Sequence, residues 1–450
     1  MKLKRDPAYW FRWVLGLLLF LLIYDGSIRK WLLPGAEQIV FIAKDALLVT
    51  ALFLWLVLRG GKPLARLHPW VRLLFALYAY WVLLRVFSTS LPNLAVGLWG
   101  VKSHLLYASI LLFLPLAYPK LEDLFAVLEK IYPWLVIPVC SLAFAQVLAP
   151  ADSFLNQQVK EGTEGIAYFG EAGLVRVTGT FSYISGMAAF VQATCLLGMA
   201  LYLGGARSRL FLVGLGFAFA SLPVTGSRAV VAVVMLGAGI MLLAAMASGA
   251  VGLKTVVRVV FVLAVLGTIS LYTQADIWTA FSQRVDSTRA DENRSITAFT
   301  NAFDFMEGAG LTGFGTGSAN LGAVALSGNV LPFSWLPFGG VFEEESGRIV
   351  IELGIIGWAL SLGMRVGMLF WAGALTLTGG SRTVRAVGVL ALPVMALGVQ
   401  QGNGVFAVPL AAVYYWFCVA LMAMARHQDL QIQAGQSQQV KAQWQRSMAR

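Results

Sequence analysis

Apolar runs of about 20 residues recur along nearly the whole 450-residue chain, and they restrict the possible folds more than any other feature. An α-helix needs about this length to cross the ~30 Å hydrocarbon layer of a membrane. Only 12% of the residues are charged, which is too few for a soluble protein of this size. The short alternating segments of membrane β-barrels are not seen in the sequence. We therefore expect an all-α, polytopic integral membrane protein.

The apolar runs predict about twelve transmembrane helices. Their expected ranges are 10–24, 38–58, 69–87, 96–117, 131–149, 180–203, 209–225, 229–248, 255–273, 349–374, 384–401 and 404–425. No small-residue cleavage site follows the first run, so we expect it to be retained. Residues 1–426 are expected to form one transmembrane domain. Residues 427–450 form a polar, glutamine-rich cytoplasmic tail that we expect to fray or to form a short surface helix.

Lysine and arginine are concentrated in the short loops on one side of the predicted membrane. These loops carry Arg59, Lys62, Arg66, Lys120, Lys130, Arg207, Arg209, Lys254, Arg258, Arg382 and Arg385. Short loops rich in these residues stay in the cytoplasm, and both chain termini fall on the same side. Both termini are therefore expected to be cytoplasmic. The same rule accounts for the formal net charge of +11, so no nucleic-acid partner is needed to explain it.

Two long segments, 150–179 and 274–348, fall on the opposite, outer side. Long loops carry function more often than short ones. The second segment precedes the tenth predicted helix, and we expect it to be a large, partly helical loop. Its stretch 294–310 has apolar residues at roughly helical spacing, with Gly308 and Gly310 as a stop.

Charged residues inside or at the rim of the predicted spans collect at the outer face. A charge is costly to place in a membrane, so residues of this kind usually have a function. They are Asp25, Arg29, Lys30, Lys44, Asp45, Lys102, Arg176, Arg228, Arg284, Arg289, Arg294, Glu343, Glu344, Glu345 and Arg348. Guanidinium groups bind phosphate and pyrophosphate in bidentate fashion, and a nearby carboxylate can accept a proton from a hydroxyl nucleophile. This combination fits group transfer from a lipid-linked phosphate donor to an acceptor hydroxyl.

Each of these charges also has a structural interpretation. Residues 29–30 can end a helix or contact lipid headgroups, and residues 44–45 can pair with other helices. Arg176 and Arg228 lie beside glycine turns. The glutamates 343–345 suit the positive N-terminus of the helix that follows them. Both interpretations stay open from the sequence alone.

Nucleotide and metal sites find no support in the sequence. The stretch 313–317, Gly-Phe-Gly-Thr-Gly, has no preceding strand and no surrounding βαβ unit, which a dinucleotide loop requires. Cys140, Cys195 and Cys418 lie in separate apolar runs and read as small core or lipid-facing residues. His104 stands alone in its span and reads as a hydrogen-bonded core residue. We expect no metal and no cofactor.

Four stretches occur in a recognisable order. They are RVTGTFSYISG (176–186), TGSRAVV (225–231), RSITAFTNAFDFMEGAGLTGFGTGSAN (294–320) and EEESGRIVIELGIIG (343–357). With about twelve spans and a large outer loop, the chain resembles the bacterial O-antigen ligase and polymerase superfamily. Members show Arg-x-x-Gly-Thr-Phe, a Ser-Arg at a span start, an arginine-led helix ending in Gly-x-Gly-x-Gly, and His-Asn before Glu-x-Gly-x-x-Gly. GSIRKWLLPG and GLWGVKSHLLY resemble exopolysaccharide variants.

The resemblance implies a metal-independent glycosyltransferase of the GT-C type. Arg176 and Arg228 would hold the pyrophosphate of the donor, with Arg294 as a further candidate. In ligases the base is a histidine, but none of the three histidines of this chain lies close to the corresponding position. A glutamate from 343–345 would replace it. The candidate catalytic residues are Glu343, Glu344 and Glu345, and the candidate substrate-binding residues are Arg176, Arg228, Arg294, Arg348, Arg29, Lys30 and Lys102.

The expected function is polymerisation of undecaprenyl-pyrophosphate-linked oligosaccharide repeat units into O-antigen or exopolysaccharide, at the periplasmic face of the bacterial inner membrane. The partners would be the lipid-linked glycan donor, a glycan acceptor, membrane lipids and other polysaccharide export proteins. The alternatives are an O-antigen ligase that transfers the polysaccharide to lipid A core or protein, and a polysaccharide-lipid transporter or flippase. A transporter is less favoured because it usually places charges near the midplane.

Overall fold

The structure is a computed structural model that describes residues 7–58, 63–159, 167–169, 173–249, 251–286, 294–320, 326–327, 345–401 and 408–448. Helices account for almost all of this part of the chain. A two-stranded antiparallel hairpin, β1 (Tyr168–Phe169) with β2 (Leu174–Val175), is the one sheet in the described ranges.

Fifteen α-helices are numbered here in chain order. They are α1 (Pro7–Ser27), α2 (Glu37–Val57), α3 (Pro69–Leu84), α4 (Leu94–Leu105), α5 (Ile110–Ala117), α6 (Leu121–Leu148), α7 (Ile184–Gly204), α8 (Arg209–Ala220), α9 (Arg228–Ala247), α10 (Leu253–Thr273), α11 (Ala275–Asp286), α12 (Arg294–Ala309), α13 (Glu345–Thr378), α14 (Arg382–Gln400) and α15 (Pro409–Met448). Short 3₁₀ turns join several of them, and a π-helical turn (Ile28–Leu32) extends α1.

Ten helices in the described part of the chain are long and apolar enough to cross a membrane. They match all of the predicted spans except 209–225 and 255–273. The first of these two corresponds to the shorter α8, and the second coincides with α10. The all-α, multi-pass membrane architecture is therefore confirmed, while the count of twelve stays a prediction.

Local sequence explains where the helices begin and end. Asn93 caps α4 by accepting a hydrogen bond from the Val96 amide at 3.1 Å, and Ser208 and Ser381 cap α8 and α14 in the same way. The predicted helix in the outer loop is confirmed as α12. It ends at Ala309, one residue before Gly310, whose φ of 62° is readily adopted only by glycine.

Contacts between loops define two ends of the bundle. At one end, which we call the loop end, segments following α1, α3 and α14 meet distant loops. The pairs are Ser27 with Thr180, Arg85 with Gly313, and Glu345 with Gln401. At the other end, the tail end, the pairs are Arg12 with Ala117, Arg385 with Ser248, and Arg426 with Leu67.

Two elements differ from the sequence-based expectation. The first helix is longer than predicted, because Pro7–Ser27 continues through the π-helical turn to Leu32. The residues of the expected tail, 427–450, are helical as far as Met448 and continue the last span directly. α15 runs without interruption from Pro409 to Met448, since its polar half contains no proline and one glycine, Gly435, among many good helix formers.

Candidate functional site

The π-helical turn at the end of α1 places two cations against the Arg-x-x-Gly-Thr-Phe element. Lys30 is 1% exposed, and its Nζ donates to Thr178 Oγ1 at 2.5 Å. Arg29 is 9% exposed, and its Nη1 donates to Ser182 Oγ at 2.9 Å. A π turn widens the helix and rotates successive side chains, which allows both neighbours to reach the same segment. Residues 29–30 therefore contact the first of the four family-like stretches.

Backbone contacts fix this packing. The Ser27 amide donates to the Thr180 carbonyl at 2.8 Å. A Cβ on Gly26 would stand 2.2 Å from the Phe181 carbonyl carbon, so only glycine permits the approach. The end of α1 and the stretch before α7 thus form one rigid unit.

Lysines on α2 and α4 complete a group of buried charges. Lys44 Nζ lies 3.1 Å from Asp25 Oδ2, and Lys102 Nζ lies 2.6 Å from Asp45 Oδ2. Tyr107 donates to the second oxygen of Asp45 at 3.0 Å. We call the four basic residues, Arg29, Lys30, Lys44 and Lys102, the cationic cluster.

Three members of the cationic cluster surround one aromatic ring. The Phe41 centroid lies 4.2 Å from Lys44 Nζ, 4.8 Å from Lys102 Nζ and 5.4 Å from the Arg29 guanidinium carbon. Lys102 also lies 3.8 Å from the centroid of Trp99. Ring faces attract cations, and they hold these like charges close together without neutralising them.

Helix α4 joins the cationic cluster to a second, deeper group. Three consecutive residues contact three different elements: Lys102 pairs with α2, Ser103 accepts from Asn320 Nδ2 at 2.7 Å, and His104 reaches α13. Successive side chains of a helix point in directions about 100° apart. One turn of α4 can therefore contact three different elements.

The deeper group is a chain of hydrogen bonds that we call the Glu352 network. His104 Nε2 lies 2.6 Å from Glu352 Oε2, and Tyr78 Oη lies 2.7 Å from His104 Nδ1. The Gly317 amide donates to the same carboxylate oxygen at 3.1 Å. His104, Tyr78 and Glu352 are at most 1% exposed. The network ties α3, α4, α13 and residues 313–317, which we call the glycine-rich loop, together inside the bundle.

A break in α13 explains how the glycine-rich loop is held. Gly354 has φ 69° and ψ −173°, which interrupts the helix and releases carbonyl groups from their usual partners. The Phe314 amide donates to the Ile351 carbonyl at 2.8 Å, and the Gly315 amide to the Glu352 carbonyl at 2.9 Å. A Cβ on Gly313 would lie 2.5 Å from the Gly354 nitrogen. The third and fourth family-like stretches therefore pack directly on each other.

Glu345, one of the three candidate bases, forms an internal ion pair. Its Oε1 lies 2.5 Å from Arg365 Nη2, both side chains are fully buried, and Arg365 Nη1 donates to the Gly398 carbonyl at 2.7 Å. The Glu345 amide donates to the Gln401 carbonyl at 3.1 Å. The carboxylate therefore pairs within α13, while the Glu345 amide and the Arg365 guanidinium join α13 to the end of α14. Glu343 and Glu344 lie outside the described residues.

The remaining predicted site residues are distributed around the loop end. Arg348 is 4% exposed on the first turn of α13, and its Nε and Nη2 have no hydrogen-bond partner among the described residues. Arg176 is half-buried, and its amide donates to the Ala167 carbonyl at 2.7 Å. Arg228 is half-buried at the start of α9. The side chains of Arg284 and Arg294, and all of Arg289, lie outside the described part.

A cavity of about 180 Å³ lies between α7, α9, α14 and α15. Its polar lining includes Ser185, Gln192, Ser227 and Tyr415. Ser185 follows the Arg-x-x-Gly-Thr-Phe element, and Ser227 immediately precedes Arg228. The first two family-like stretches thus contribute to one cavity. The described contacts do not join Arg176, Arg228 and Glu345 in a single pocket, and the predicted convergence of the three stays a prediction.

No group of three His, Cys, Asp or Glu side chains within the described ranges is arranged to hold a metal ion. The three cysteines are free and buried, in agreement with their expected core positions.

Three residues of these groups, Glu352, Tyr78 and Arg365, are not expected as site residues from the sequence. Glu352 was visible only as the first residue of Glu-x-Gly-x-x-Gly, and His104 as a lone histidine. Glu352 and Arg365 both place a charge inside an apolar span, where burial is costly. This is the sequence signal that could identify them as candidates. Their partners could not be read from spacing, because they lie on other helices.

No family model matches the chain, and no curated protein matches it. The likeness to the O-antigen ligase and polymerase superfamily therefore rests on the four stretches themselves.

Proposed function

We propose that the protein is a membrane glycosyltransferase that polymerises undecaprenyl-pyrophosphate-linked repeat units at its loop end. One observation carries the proposal: the Arg-x-x-Gly-Thr-Phe element packs against buried cations, with Lys30 Nζ 2.5 Å from Thr178 Oγ1. Four basic side chains collect there, in contact with one another's aromatic and carboxylate partners inside a largely apolar helix bundle. A buried group of positively charged side chains is suited to binding a substrate that carries a pyrophosphate.

In the proposed reaction, Arg176 and Arg228 bind the pyrophosphate of the donor, with Arg294 as a further candidate. The hydroxyl of the acceptor glycan attacks the anomeric carbon while the bond from that carbon to the pyrophosphate oxygen breaks. Undecaprenyl pyrophosphate leaves with the bonding electrons, and the guanidinium groups stabilise its charge. Direct displacement inverts the anomeric centre.

A glutamate accepts the proton of the acceptor hydroxyl. Glu343 and Glu344 are the proposed bases, because Glu345 already pairs with Arg365 and joins two helices. The Glu352 network has a different role in this proposal. It positions the glycine-rich loop beside the start of α13, where the base is expected.

In the cell, the proposal places the loop end at the periplasmic face of the bacterial inner membrane and both termini in the cytoplasm. Its support is the sequence: the short loops at the tail end carry the lysines and arginines that stay cytoplasmic.

The decisive test uses purified full-length protein in nanodiscs with lipid-linked repeat units. We expect release of undecaprenyl pyrophosphate together with a ladder of lengthened glycans.

Gel analysis of surface polysaccharide in a deletion strain distinguishes a polymerase from a ligase. Single-repeat product supports the polymerase, whereas full-length polymer left on its lipid carrier supports a ligase instead.

A proton-coupled carrier of lipid-linked glycans is the second candidate, and one observation favours it. α13 is interrupted at Gly354 beside the fully buried Glu352 and His104, and broken helices with buried ionisable groups are typical of transporters. Movement of labelled lipid-linked glycan across proteoliposomes, without release of the lipid pyrophosphate, would support the carrier and overturn the transferase.

A further inference from the structure

The cationic cluster carries more positive charge than its own carboxylates neutralise. Asp25 pairs with Lys44 and Asp45 pairs with Lys102. Lys30 and Arg29 donate instead to the neutral hydroxyls of Thr178 and Ser182. Four basic side chains therefore share two carboxylates, and the two that are nearest to the stretch 176–186 have only hydroxyl groups as hydrogen-bond partners in the cluster. Buried basic groups are stabilised by a counter-ion, so an anion bound here would complete the cluster.

Open donors remain in the cluster. Arg29 is 9% exposed, and its Nε has no hydrogen-bond partner among the described residues. The neighbouring Thr180 hydroxyl likewise has no partner there. The Lys102 side chain is 16% exposed and is the more exposed of the two lysines that pair with a carboxylate in the cluster.

Exposed apolar residues lie close to the cluster in the sequence. Leu32 is 71% exposed and Ile39 is 74% exposed, and Leu33 and Ile42 are exposed beside them. They lie on the end of α1 and the start of α2, within a few residues of Arg29 and Lys44. An anionic head in the cluster would have its hydrocarbon chain along this surface, which favours an amphiphilic ligand over a soluble anion.

We infer that the cationic cluster binds the pyrophosphate of a second lipid-linked substrate, the acceptor, while the Arg228 side receives the donor. The stretch 176–186 separates the two positions. Its Thr178 and Ser182 contact the cluster, and its Ser185 lines the cavity next to Ser227. The inference rests on the proposed function, because joining two lipid-linked units requires two pyrophosphate groups to be held at once.

The test measures binding, not turnover. Full-length protein in nanodiscs is titrated with farnesyl pyrophosphate and analysed by native mass spectrometry. We expect two equivalents per wild-type chain. Arg228→Gln and Lys102→Gln should each weaken a different one by about tenfold or more, and the double variant should lose both. Arg382→Gln, an exposed arginine at the start of α14, is the matched control and should keep both.

Lys30→Gln is a second cluster variant, and its melting temperature shows whether loss of binding reflects misfolding. If Lys30→Gln lowers the melting temperature, the test of the second site rests on Lys102→Gln, because Lys102 is the more exposed residue. A single equivalent in the wild type, or two unweakened equivalents in both cluster variants, overturns the inference. Displacement by phosphatidylglycerol at equal concentration also overturns it, because the cluster would then hold an ordinary lipid headgroup.

The outcomes separate this inference from the proposed function. If the protein binds two equivalents of farnesyl pyrophosphate but transfers no glycan, the second site stands and the transferase is refuted. If it polymerises glycan but binds only one equivalent, the transferase stands and the second site is refuted.

Discussion

The Glu352 carboxylate lies 2.6 Å from His104 Nε2, although 248 residues separate the two in the chain. Both side chains are buried, and the same carboxylate oxygen accepts the Gly317 amide. One oxygen atom therefore connects α4, α13 and the glycine-rich loop. This contact joins α4, which carries Lys102 of the cationic cluster, to the part of α13 before its break.

Replacing Glu352 with alanine should destabilise the protein by about 2–4 kcal/mol, because His104 and the Gly317 amide lose a buried partner. Glu352→Gln keeps an acceptor of the same shape and should cost less than half as much. Thermal unfolding in detergent measures the difference. Glu307→Ala, at an exposed position of α12, should stay within about 0.5 kcal/mol of the wild type. Equal melting temperatures for Glu352→Ala and Glu307→Ala would contradict the network.

The Glu345–Arg365 pair should behave as a structural unit. Arg365→Met leaves a buried carboxylate without its guanidinium and should cost about 3–5 kcal/mol. The double variant with Glu345→Gln should lose clearly less than the sum of the single variants. Unfolding in detergent provides the four stabilities, and Arg382→Met on the exposed start of α14 is the control. Strict additivity would show that the two residues act separately and would restore Glu345 as a candidate base.

The break in α13 requires glycine at position 354. Its φ of 69° with ψ −173° is accessible almost only to glycine, and a Cβ would lie 2.3 Å from the Leu311 carbonyl oxygen. Gly354→Ala should therefore cost at least about 1–3 kcal/mol in unfolding experiments. Gly239→Ala is the matched control, because its Cβ would meet open space within α9. A Gly354→Ala protein as stable as the Gly239→Ala protein would argue for a continuous α13.

Arg228→Ala should abolish polymer formation while leaving the amount of protein in the membrane unchanged. The side chain is half-buried beside the Ser227 cavity, so its removal exposes no core. Loss of one guanidinium that stabilises the leaving group is expected to lower the rate by about a hundredfold or more. Polysaccharide gels and immunoblots measure the two quantities. Arg382→Ala should retain normal polymer, and a normal chain length in Arg228→Ala would refute the donor assignment.

The membrane architecture follows from the sequence, because the bilayer thickness sets the length and apolar content of each span. The helix α12 with its glycine stop is also readable from the sequence. Which charges meet depends on the tertiary structure. Glu345 was expected among the bases, but it pairs with Arg365, and the lone His104 contacts Glu352 across the bundle. Periodicity specifies the face of a helix, whereas partners depend on how separate helices pack, and that packing is long-range in the chain.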